Sequence, residues 1–169
     1  MLPIVELPLW SVAILNVAAW GSWSALAGYI AHRRPVASFA RDTWLYQLRA
    51  VERGGLYEQR LAIKRWKDRL PEAGGLFTGG FSKRSVRTKD RETLERFVVE
   101  TRRAEWTHWA IMAATPLFLV WNPWWVEPFM IVYALAANLP CLLVQRYNRT
   151  RLQRLLATAG ARPGGRGSR

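Results

Sequence analysis

Residues 102 to 109, RRAEWTHW, set two arginines, a glutamate and a histidine against the start of an apolar run. Glu105 and His108 are three positions apart, so on a helix they share a face with Thr101 and Met112. A carboxylate at that spacing can accept the imidazole N–H, fix its tautomer and raise its basicity. That is how a general base for a hydroxyl is commonly assembled. The other chemistries have little to stand on. One cysteine and two histidines supply no zinc cluster, and the three aspartates, Asp42, Asp68 and Asp90, are too scattered for a metal-dependent phosphoalcohol transferase. No metal is expected.

The elements that must position these residues follow from the charge pattern. The chain of 169 residues is half hydrophobic, carries ten Trp and has a net charge of +13, too apolar for a basic tail and too basic for an ordinary soluble domain. Residues 7 to 30 hold no charged side chain, enough to cross a hydrocarbon core that needs about 20 helical residues. A cleaved signal peptide is the competing reading, but the residues before this stretch lack Lys and Arg, and the basic cluster HRRP follows it. A second apolar region, 106 to 144, is interrupted by WNPWWVEP and reads as a membrane hairpin, spanning or re-entrant.

Of the 25 Lys and Arg, 18 fall in residues 31 to 106 and 7 in residues 145 to 169. The positive-inside rule then gives an outside N-terminus, a hairpin tip facing out, and basic segments in the cytoplasm. The expected fold is an all-α integral membrane protein, multi-pass in the cell membrane. It has an N-terminal transmembrane anchor (1–30), a basic interfacial helical region (31–106), a transmembrane hairpin (107–144) and a basic tail (145–169).

Within the middle region, TWLYQLRAVER and LYEQRLAIKRWKDRLP have helical spacing, separated by Gly54 and Gly55 and closed by Pro71. Cationic, Trp-bearing helices beside a span are expected along an anionic leaflet, which accounts for the charge without nucleic acid. EAGGLFTGGFSKRS lacks phosphate-loop spacing and reads as a connecting loop. Asp90 then caps a helix that continues into the hairpin, while the Arg/Gly tail has a disordered composition.

If residues 92 to 121 form one helix, His108 lies where it enters the bilayer, and antiparallel packing brings it near Gln145, Arg146 and Asn148. Arg146, Arg149 and Arg151 also suit snorkelling anchors. Cys141 reads as a small buried hydrophobe, Asn138 with Pro140 as a helix kink, Glu127 as an interface carboxylate and His32 as flanking surface.

At these residues the sequence takes on a family likeness. IKRWKDRLPE (63–72), FSKR (81–84), ETRRAEWTHW (100–109) and NLPCLLVQRYNRTRL (138–152), in this order and spacing, resemble the glycosyl-4,4'-diaponeurosporenoate acyltransferase family of bacterial carotenoid pathways. The first apolar stretch and the tail lie outside the likeness. The resemblance implies a membrane enzyme that esterifies the glucose 6-hydroxyl of a glycosylated carotenoid with a fatty acyl group. A glycolipid or other lipid alcohol is an alternative acceptor.

On that implication the co-substrate is acyl-CoA or an acyl-carrier thioester, and no further cofactor is required. His108 takes the hydroxyl proton, Glu105 orients it, and Asn148 or Arg146 stabilises the oxyanion. Arg102, Arg103, Lys64 and Lys67 would bind donor phosphates, with Trp66 and Gln145 beside them in the matching blocks. The alternative is a non-catalytic membrane adaptor that binds anionic lipid or a partner enzyme through the basic face.

Overall fold

A computed structural model describes residues 5–70 and 91–160, without the side chains of 159 and 160. The glycine-rich loop with FSKR, the Asp90 cap and the Arg/Gly tail lie outside the described residues. Among those residues the chain is all helical and has no strand. Four α-helices carry it: α1 (Leu9–Arg33), α2 (Ala50–Arg53), α3 (Arg91–Ala113) and α4 (Glu127–Gly160).

Two helical segments among the described residues are long and apolar enough to cross a membrane, Leu9–Arg33 and Trp124–Thr158. Neither is a soluble core helix, because only 6% and 17% of their most apolar windows are buried. Leu9, Trp10, Ile14 and Val17 of α1 and Phe129, Val132 and Tyr133 of α4 face outward.

The arm from Trp106 to Val120 does not form a continuous span-length helix. Its α-helix ends at Ala113, and Thr115–Val120 winds as a 3₁₀-helix with Pro116 in its first turn. In an α-helix the Pro116 ring would clash with the Met112 carbonyl. That carbonyl instead accepts the Thr115 hydroxyl at 2.7 Å.

The chain divides into two units, Met1–Pro35 with Arg103–Leu142, and Val36–Arg102 with Leu143–Arg169. In the first unit, Trp20 and Ala27 of α1, Ile111 of α3, Phe118 of the 3₁₀ segment and Ala134 of α4 form the core. Trp20 stacks on Phe118 with ring centroids 4.7 Å apart. Polar links fix α1 in place: Trp23 Nε1 donates to the Ala110 carbonyl at 3.0 Å, and Asn16 Oδ1 accepts from Trp121 Nε1 and Asn122 Nδ2 at 2.7 and 2.8 Å. The Arg34 guanidinium lies over the Trp106 ring, 4.4 Å from its centroid.

In the second unit, Leu94 and Val98 of α3 pack with Leu152 of α4, while Tyr57, Ile63 and Tyr147 form another core cluster. The two extended interfacial helices expected over 43–70 are not present. Only Ala50–Arg53 is α-helical there, followed by single π and 3₁₀ turns at Leu56–Arg60, Ile63–Arg65 and Lys67–Arg69. Gly55 at φ +94° and Ala62 at φ +45° interrupt the helical path. Isolated helices shorter than about 12 residues are marginal without packing support, and these breaks leave no longer run.

Candidate active site

His108 stands on α3 two residues past Trp106 and is half-buried. Its Nδ1 lies 2.9 Å from Asn138 Oδ1 on α4. The Asn138 amide Nδ2 donates to the Ala134 carbonyl one turn back, also at 2.9 Å, which fixes which end of the side chain is oxygen. Because that oxygen only accepts, His108 Nδ1 must carry the proton. In the neutral ring the lone pair is therefore on Nε2, the tautomer in which Nε2 can act as a general base.

Asn138, which the sequence reading makes a kink residue, is thus the partner of the imidazole. Its signal was present in the hairpin register. His108 and Asn138 are equidistant in sequence from Pro123 in the turn, as are Met112 and Ala134. Measuring from the turn's centre rather than its end pairs the helices in this register. A buried amide in a long apolar helix is itself costly enough to suggest a partner.

Glu105, expected to orient His108, is fully buried in the same unit. Beyond the His108–Asn138 pair, towards the turn, lies a cavity of about 320 Å³ whose lining includes Trp109, Met112, Thr115, Glu127, Ala134 and Leu135. Cys141 is half-buried with a free thiol.

The other predicted site residues belong to the second unit, apart from Arg103. Arg146 donates through Nε and Nη2 to the two Glu52 carboxylate oxygens at 2.7 and 2.8 Å, and to the Leu45 and Gln47 carbonyls at 3.0 and 2.9 Å. Tyr57 OH donates to the same carboxylate, and the Arg49 amide adds a bond of 2.5 Å. Burial opposes ionisation of Glu52, but hydrogen bonds from Arg146, Tyr57 and Arg49 outweigh it and hold its pKa at about 2. The Tyr57 hydroxyl is pushed up, by burial first and then by its bond to Glu52.

Arg102 is equally engaged, with Asp42 Oδ1 at 2.7 Å and the Phe39 and Ala40 carbonyls at 3.1 and 3.0 Å. Lys64 pairs with Glu58 at 2.8 Å and Lys67 with Asp68 at 2.6 Å. The exposed Glu58 carboxyl is lowered and the Lys64 ammonium raised, each chiefly by their mutual hydrogen bond. Trp66 Nε1 donates to the Leu61 carbonyl at 2.9 Å. Gln145 and Asn148 are half-buried on α4. Among the described residues no group of three His, Cys, Asp or Glu could hold a metal ion.

The sequence model of the glycosyl-4,4'-diaponeurosporenoate acyltransferase family matches residues 42–158, which include His108, Asn138, Glu52 and Arg146. The chain belongs to this family. Membership makes it an enzyme of acyl transfer, as the sequence blocks implied. The glycosyl-4,4'-diaponeurosporenoate acyltransferase of Staphylococcus haemolyticus strain JCSC1435 is 29% identical over 149 residues, 86% of either chain. Those of Staphylococcus aureus strains USA300 and NCTC 8325 are each 28% identical over 148 residues, 87% of this chain and 83% of theirs. No solved structure matches the acyltransferase chain. The family match leaves out all of α1 and residues 159–169, the parts that carried no motif.

Proposed function

We propose that this acyltransferase works within the membrane, moving a fatty acyl group from a thioester donor to a sugar hydroxyl, the glucose 6-hydroxyl of a glycosylated carotenoid or related glycolipid. The acceptor class rests on the names of the relatives. The observation that carries the mechanism is the His108–Asn138 pair, with its Nε2 lone pair available.

In this reading His108 Nε2 removes the proton as the sugar oxygen attacks the thioester carbonyl carbon. The tetrahedral intermediate collapses with cleavage of the C–S bond, and the imidazolium returns the proton to the departing thiolate. The products are ester and free thiol, with no net change at the enzyme. The apolar setting suits both reactants, since acyl chain and lipid acceptor reside in the bilayer while the reacting groups meet near its surface.

Membrane insertion is supported by the outward-facing apolar surfaces of α1 and α4 and by the charge partition. We place the basic segments in the cytoplasm and the WNPWWVEP turn towards the opposite face. Eight α-helical residues and six 3₁₀ residues carry the chain from Trp106 to Val120, about 24 Å of rise. This covers most of a hydrocarbon core of about 30 Å.

Membranes bearing the wild type or His108→Ala, given labelled acyl-CoA and a glycosylated carotenoid, provide the test by mass spectrometry. Removing a general base is expected to slow ester formation by about 10²- to 10⁴-fold with insertion unchanged. Equal rates in the two proteins would exclude His108 as the base. No ester with any acceptor would exclude the acceptor class.

A further inference from the structure

The cavity beside the His108–Asn138 pair is not used by the chemistry above. We propose that it holds the donor's acyl chain and that Glu127 closes its far end, so that the slot sets the chain length transferred. This deepens the acyl-transfer reading and rests on it.

Position is the first argument. Met112 lies one turn from His108 on the same face of α3, and Ala134 and Leu135 lie one turn from Asn138 on α4. The slot therefore begins within one turn of the reacting pair and runs towards the turn. A thioester carbonyl placed at His108 leads its chain in this direction.

Chemistry is the second. Most of the lining is apolar, and the Thr115 hydroxyl is already committed to the Met112 carbonyl. A sugar would lose its hydration here for almost no compensating bonds, whereas methylene groups lose nothing. Size agrees: 320 Å³ is at the low end for ligand pockets, suited to one flexible chain. From Asn138 to Glu127 the helix advances about 16 Å, roughly half a hydrocarbon core, so a rigid polyene that spans the bilayer overruns the slot.

The third argument is the end wall. Glu127 Oε2 is buried and has no hydrogen-bond partner among the described residues. A terminal methyl pressed against it would block access of any polar partner and supply none in return, so chains long enough to reach it are disfavoured.

The experiment offers the full-length protein in membranes an equimolar mixture of acyl-CoA donors, from decanoyl to stearoyl, with excess acceptor, and reads the ester distribution by mass spectrometry. Ala113→Phe, at an exposed position in the lining, should lower the stearoyl-to-decanoyl product ratio roughly tenfold, the discrimination a few methylenes can supply. Glu127→Leu should raise it by a similar factor. Unchanged distributions in both variants would overturn the slot while leaving the transferase intact. An unchanged ratio in Glu127→Leu, with Ala113→Phe inactive, would also overturn it. Absence of ester from the wild type with every donor would instead remove the underlying transferase reading.

Discussion

The two units use polar side chains in opposite ways. In the first, a few amides and an imidazole sit in apolar surroundings and join each other from helix to helix or turn: Asn16 with Asn122, His108 with Asn138. In the second, arginines on the long helices donate into the irregular segment 36–60. Arg102 reaches the Phe39 and Ala40 carbonyls, Arg146 those of Leu45 and Gln47, Arg149 that of Tyr46, and Arg154 that of Arg53. A segment with so little regular structure leaves carbonyls without ladder partners, and a guanidinium can satisfy several at once. Arginine here builds a scaffold, whereas the polar pairs of the first unit include the group suited to proton transfer.

The comparison breaks most sharply at Arg146. Arg146→Met would leave the buried Glu52 carboxylate without this counter-charge, held only by neutral donors, and release two carbonyls, a loss of about 3 kcal/mol. Tryptophan fluorescence should show a lower unfolding temperature, and trypsin should cut faster at Arg41, Arg49, Arg53 and Arg60. If cutting and melting are unchanged, the arginine scaffold is not what holds the segment.

Acid probes the same contact. The folded pKa of Glu52 lies below its ordinary 4.5, so its contribution is complete above about pH 4.5 and is lost as pH falls towards 2. Glu52→Gln should flatten this part of the wild type's stability profile. An equally steep acid limb in the variant would assign it to other carboxylates.

Much of this division was legible in the sequence. The charge partition marked the two basic stretches, and the uncharged run of 7 to 30 marked α1. The helical spacing of TWLYQLRAVER, with Trp44, Leu48 and Val51 three to four positions apart, does not correspond to one buried face. Leu48 is buried, while Trp44 and Val51 are 79% and 57% exposed. What holds that segment comes from arginines about sixty to a hundred positions away, which local spacing cannot register. The Asn138 partnership was likewise non-local, and depended on locating the hairpin's centre at Pro123.

Asn138 tests the positioning role in the first unit. Asn138→Ala should lower kcat about 10- to 100-fold, the usual effect of losing a group that orients a functional imidazole, with the donor KM little changed. Asn138→Asp keeps an acceptor oxygen for the Nδ1 proton and should restore much of the rate. If alanine and aspartate are equally impaired, the residue matters for packing and the tautomer argument fails.

The smallest effect belongs to Asn16. Its side chain joins Trp121 and Asn122 around the turn, yet interhelical hydrogen bonds within membranes average only about 0.6 kcal/mol, because the unfolded helices find other partners. Asn16→Leu removes the shared acceptor and the amide that donates to Asn122 Oδ1 at 3.1 Å, and leaves Asn122 bonded to the Phe118 carbonyl. The variant should unfold within a few degrees of the wild type and retain its acyl-chain selectivity. A large change in selectivity would mean that α1 sets the width of the slot through this contact. The first unit would then depend on its polar links as heavily as the second depends on its arginines.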